Sequence, residues 1–408
     1  MRALRTATHL LFTLLLLLIG AACVTKPENK SGLNVAEENL RKADLTDSLN
    51  HCVDSILRLM TPEQKSAQCL IPAIYASADP YTLKRIKEYA ELGTGGIILL
   101  KGDPLSVAII ADSLQRWSAI SPFIAIDAEL GLAMRLTDTP RFPSNGNISP
   151  EADDDSMFEY GAELARECRL LGINMVLGPV LDIAGKDSYI GSRSIGTDKE
   201  RVARMGIAYA RGLESGNVIS VAKHFPGHGA VTVDTHRRKG IIERSLQSLD
   251  SIDLYPFREY IAQDLSAIMV GHIAFPAIDP DALPAAVSKA VITDLLRTDL
   301  GFRGLILTDA MNMRGAEEMS AADAIDAGAD LILAPKSTTA EIHNILSRFY
   351  PDSITRTQVS PLDEHIKRIL FKKMLINDPR LTKLSQDSIL TTKLNSTEAI
   401  NLAKSLAR

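Results

Sequence analysis

The sequence predicts a (β/α)8 barrel, and two observations carry that expectation. First, eight short apolar runs recur along the chain: LIPAIY (70–75), GGIILL (95–100), FIAID (123–127), INMVLGP (173–179), VISVAK (218–223), AIMVGH (267–272), GLILTD (304–309) and DLILAP (330–335). They are rich in β-branched residues, apolar along their length and bounded by glycine or polar residues, as strands buried on both faces are. Second, amphipathic helical stretches such as 154–171 and 198–215 fill the intervals. Alternating units of this kind build a parallel sheet. Eight of them suit a closed barrel better than an open doubly wound sheet, which would read the same way.

The chain ends need separate readings. Residues 1–22 carry Arg2 and Arg5, the apolar run from Leu10 to Ile19, then Gly20, Ala21 and Ala22 before Cys23. That is the layout of a secretory signal peptide, and its run is about half the ~20 residues a spanning helix needs. Cys23 directly after the small residues resembles a bacterial lipoprotein processing site; simple cleavage is the alternative. Lipidation at Cys23 would make 23–45 a tether holding a periplasmic or cell-surface body to a membrane. The barrel is expected over 46–376 and a polar, partly helical tail over 377–408. Thr61-Pro62-Glu63-Gln64 reads as a capping box, and Ser360-Pro361 as the start of a last barrel helix.

Composition narrows the function. With 46% hydrophobic and 23% charged residues the chain is globular. A net charge of −5 leaves no basic surplus for a phosphate backbone, which argues against nucleic acid as a partner. Leu10 to Ile19 is the one long apolar run, so a polytopic helical membrane protein is excluded. Cys52, Cys69 and Cys168 lie far apart in apolar contexts and are expected to be buried free thiols.

In a parallel barrel, chemistry projects from the C-terminal ends of the strands. Those ends hold Asp127, Asp182, Lys223 with His224, His272 and Asp309, with Arg135 and Arg193 nearby. Any one alone could be a helix cap. Together they suit a neutral substrate with many hydroxyls. The densest segment is KHFPGHGAVTVDTH (223–236). His224 and His228, four apart, would share a metal only on a helix, and Pro226, Gly227 and Gly229 deny one. Asp234 and His236 sit at i and i+2, on one side of an extended segment. A carboxylate there would fix the imidazole tautomer and make a general acid/base near neutral pH. A turn in which Asp234 caps the backbone is the other reading.

The motifs KHFPGHG…DTH, IAIDAELGLAMR (124–135), SRSIGTD (192–198) and LTDAMNM (307–313) resemble glycoside hydrolase family 3. Within it they are similar to the NagZ-like β-hexosaminidases, which are β-N-acetylglucosaminidases. The resemblance implies a barrel, no cofactor, and a glycan or glycopeptide substrate with a terminal β-linked GlcNAc, peptidoglycan fragments included. Asp309 would be the nucleophile, His236 the acid/base and Asp234 its orienting partner. Asp127, Arg135, Arg193, Lys223 and His224 would bind the sugar. Cleavage would proceed with retention through a glycosyl-enzyme. Leu130 stands where the family has the first glycine of D-x-E-G-G, and Ala230, Val231 and the RRKG after His236 also depart from its pattern. Rival readings are a β-glucosidase, a phosphorylase that uses phosphate in place of water, and a non-catalytic glycan-binding lipoprotein.

Overall fold

A computed structural model describes residues 35–185, 187–231, 240–313, 316, 318–351, 360–376 and 390–407. Nine strands lie among them: β1 (Leu70–Ile71), β2 (Ala73–Ala76), β3 (Gly96–Gly102), β4 (Phe123–Ile126), β5 (Met175–Val176), β6 (Ile219–Phe225), β7 (Ala267–Val270), β8 (Leu305–Thr308) and β9 (Ile332–Leu333). β2 to β8 pair in chain order and every pair is parallel. β9 pairs with β1, Leu70 opposite Ile332, and a bridge between Leu307 and Leu331 joins β8 to β9. The barrel is thereby closed. The eight expected runs are present, and Pro72 splits the first into β1 and β2. Proline has no N–H for the ladder, so the strand breaks there, while the Pro72 carbonyl still accepts from Ile98 N at 3.0 Å.

Side-chain alternation separates two packing layers on the β2–β5 side. Ile74, Ala76, Ile97, Leu99, Ile124, Ile126 and Val176 face the surrounding helices, while Ile98, Phe123, Ala125 and Met175 fill the barrel interior. The helices start where polar caps follow strands. Asp79 and Asp103 each accept backbone N–H bonds ahead of Pro80 and Pro104, and Asp153 and Asp198 cap Asp154–Leu170 and Lys199–Ser215. The capping box at Thr61 forms as expected, and Ser360 Oγ accepts from Leu362 N at the head of Leu362–Ile376.

Three expectations need correction. The helix Val35–Leu59 begins inside the segment read as a tether, so 35–45 is helical. The tail is more than a polar appendage, because Leu390, Leu394 and Leu406 are buried in the outer packing layer. Cys69 and Cys168 are free and buried, whereas Cys52 is disulfide-bonded.

Candidate active site

The strand ends converge as the barrel rule requires. Lys223, last but two in β6, is 2% exposed and reaches across the mouth to Asp127, one residue past β4. Its Nζ donates to Asp127 Oδ1 at 2.9 Å and lies 2.6 Å from Glu129 Oε1. Arg135 Nη2 holds the other Asp127 oxygen at 2.5 Å, and Arg193 grips Glu129 with two bonds of 2.9 and 2.8 Å. Burial opposes ionisation of both carboxyls, yet the cations overcome it and hold them below their ordinary range. Burial likewise opposes the charge on Lys223, and Asp127 and Glu129 overcome that. The Asp127 side chain is 16% exposed and Glu129 only 1%. Asp127 therefore keeps an edge open to solvent, and Glu129 is the buried counter-ion that fixes Lys223 and Arg193.

Glu129 was not among the residues singled out from sequence, although it stands two positions after Asp127. What aims it inward is the turn behind it. Gly131 has φ +75°, and a Cβ there would lie 2.6 Å from the Phe142 ring. The departure at Leu130 leaves this second glycine, and with it the turn, in place.

Asp182 organises the opposite wall. It is 1% exposed, its Oδ2 is 2.6 Å from His224 Nδ1, and its Oδ1 accepts from the backbone of His228 at 2.7 Å. Burial would raise its carboxyl, but His224 and the His228 amide keep it ionised. This one carboxylate sets the His224 ring, whose Nε2 lies 3.3 Å from Arg193 Nη2, and pins the root of the histidine loop. The loop packs so closely that a Cβ at Gly229 would come within 1.9 Å of Ile183 O. Asp234 and His236, the expected acid/base pair, fall in 232–239, outside the described residues.

Asp309 follows β8 directly. Its N–H donates to Val270 O at 2.9 Å, and its Oδ1 accepts from Ala310 N at 2.7 Å. Burial works against its charge. His224, His272, the Ala310 amide and Lys223 outweigh it and pull the carboxyl down to about 2. An ionised carboxylate presented at a barrel mouth is a competent nucleophile toward an electrophilic carbon. His272 Nε2 lies 3.2 Å from Ala310 O; burial lowers its pKa, and Asp309 opposes that shift. Burial and neighbouring His224 bring His228 down to about 4, so that ring is neutral. Arg135 Nε is buried with no hydrogen-bond partner among the described residues. Asp127, Arg135, Arg193, Lys223, His224 and Asp309 are thus brought together by the fold.

A closed parallel barrel with an ionised carboxylate facing a wall of carboxylate, guanidinium and ammonium groups is the frame of a carbohydrate-cleaving enzyme. The chain belongs to glycoside hydrolase family 3: the Glycosyl hydrolase family 3 N terminal domain matches residues 84–370. Among curated relatives, the β-hexosaminidase of Nitrosomonas eutropha is 34% identical over 255 residues, covering 59% of this chain and 73% of the relative. Native NagZ from Neisseria gonorrhoeae superposes with a TM-score of 0.65 at 25% identity, covering 82% of this chain and 97% of that one. The β-glucoside phosphorylase BglX, bound to 2FGlc, superposes with a TM-score of 0.78 at 23% identity. That match covers 87% of this chain and 66% of the phosphorylase, and it carries the fold alone.

Proposed function

We propose that this chain is an exo-acting, retaining β-N-acetylglucosaminidase that removes terminal GlcNAc from glycans, peptidoglycan fragments among them. The observation that carries the reading is Asp309 at the end of β8, ionised and facing the polar cluster around Asp127. Asp309 attacks the anomeric carbon while His236, oriented by Asp234, protonates the departing oxygen. Water activated by His236 then releases the sugar from Asp309 with its configuration retained. Asp127, Arg135 and Arg193 take the sugar hydroxyls as charged partners, and Lys223 and His224 hold that set in place. The β-hexosaminidase relatives support the GlcNAc preference. The leader, with its short apolar run and small-residue exit, supports export.

The test is turnover of an aryl β-N-acetylglucosaminide, with and without phosphate. Release of GlcNAc as the β-anomer is expected, and Asp309→Ala should lower kcat by at least about 10⁴-fold. His236→Ala should hurt glycans with poor leaving groups more than aryl substrates. A sugar 1-phosphate as the main product would overturn the hydrolytic reading.

A further inference from the structure

One side of the mouth remains without a role. The wall built by β4 to β8 carries the charged cluster, and the connections that follow β5 (177–198) and β6 (226–245) are long in sequence. Across the barrel the rim is low. Three residues separate β2 from Pro80–Leu92, and one separates β3 from Pro104–Trp117. At this low rim stands Tyr75.

Its direction follows from alternation. Ile74 and Ala76, its neighbours in β2, are buried among the outer side chains, and Ala73 packs against the barrel interior. Tyr75 therefore points to the inside, yet it is 65% exposed, because it stands above the last filled layer. An inward-pointing aromatic ring left open to water at the mouth of a glycosidase is not there for packing. It also lies close to the charged cluster. Ala76 pairs with Gly102, whose N–H donates to the carbonyl of Arg135 at 3.2 Å, and Arg135 is the residue that clamps Asp127. In the other direction, β1 and β2 being one run split at Pro72, only β9 intervenes before β8 and Asp309. A sugar held by Asp127 and attacked by Asp309 thus has Tyr75 on its open side, about two strand spacings, ~10 Å, from each.

We infer that Tyr75 is a specificity-determining residue: its ring stacks against the apolar face of the sugar on the leaving side of the cleaved bond, where the glycan passes out over the low rim. This rests on the glycosidase reading above. The occupant is a pyranose because its axial C–H groups form the flat apolar face that an exposed ring accepts, while its hydroxyls stay in water at the rim. The charged cluster grips the terminal sugar, and Tyr75 reads whether a second one follows.

The experiment compares Tyr75→Ala and Tyr75→Phe with the unmodified enzyme on N,N′-diacetylchitobiose and on methyl β-N-acetylglucosaminide, which has no second ring. Tyr75→Ala is expected to raise KM for the disaccharide about five- to tenfold more than for the methyl glycoside, and Tyr75→Phe to restore it. Equal losses on both substrates, or no loss on either, would overturn the inference. Calorimetric titration of the Asp309→Asn enzyme with GlcNAc and with chitobiose keeps the two readings separable. A chain that binds both sugars but turns over neither would sink the hydrolase reading. The ratio of the two affinities, with and without Tyr75, would still decide the stacking.

Discussion

Two lysines are buried to almost the same depth at opposite ends of this barrel, and their pKa values are moved in opposite directions. Lys223 at the mouth is 2% exposed and lies between Asp127 and Glu129, which keep it charged. Lys373 at the floor is 3% exposed; its Nζ donates to the Gln68 amide oxygen at 2.7 Å and sits 5.0 Å above the Phe123 ring. Burial brings it down to about 7, with only a small opposing pull from Cys69. Depth alone does not decide whether a buried amine is a cation. The carboxylates within reach do. The mouth sets four carboxylates (Asp127, Glu129, Asp182 and Asp309) among Arg135, Arg193 and Lys223. At the floor, the nearby carboxylates are already engaged: Asp330 with Arg297, Arg368 and His365, and Asp363 with Lys65.

The largest way to break this contrast is Lys223→Met. It would leave Asp127 and Glu129 facing each other with only the arginines between, and kcat/KM should fall by about 100-fold or more, with a loss of ~3–5 kcal/mol in stability. A drop of less than about tenfold would mean that Arg135 and Arg193 suffice to hold both carboxylates.

Lys373 gives a second test, in which the sign matters. Its folded value lies below the 10.5 of a free lysine, so the unfolded chain holds the proton more tightly. The cost of burying it is therefore full below about pH 7 and fades as pH climbs toward the ordinary lysine value. Denaturant unfolding of the native chain and of Lys373→Met should show the difference moving toward the native chain by about 2–4 kcal/mol between about pH 6 and about pH 10. A constant difference would show Lys373 to be charged throughout, as Lys223 is. Turnover should be the same in both proteins, because the floor lies at the far end of the strands from the chemistry.

The smallest effect sharpens the same division. Thr61→Ala removes the capping box that starts the floor helix Pro62–Gln68, which carries Gln68, the partner of Lys373. It should cost about 1 kcal/mol by thermal unfolding and leave the kinetics unchanged. A kinetic effect would mean that the floor and mouth are coupled through the strands.

Legibility in the sequence followed the range of the physics. Strand runs, caps and strand-end residues are set within a few positions by apolar pattern and local hydrogen bonding, so the eight runs and the cap at Thr61 could be read directly. Asp309 and Asp127 stood out because each ends an apolar run. Glu129 did not, since its importance depends on Lys223 and Arg193, which are 94 and 64 positions away and meet it only across the barrel. Asp182 was visible as a strand-end acid, but that it would hold both His224 and the His228 amide was not. The tail read as polar because an amphipathic helix shows its apolar stripe only to the core it covers, here through Leu390, Leu394 and Leu406.

The sequence by itself determined the class of fold, the family and the chemical types at the strand ends, because periodicity and motif are local properties. Only the tertiary structure decided in which direction each buried lysine is shifted and which carboxylate keeps an edge open at the mouth. It also placed an exposed ring, Tyr75, at the low side of the mouth. Each of these depends on what lies within a few ångströms in space, and closure of the barrel brings those groups together from strands far apart in the chain.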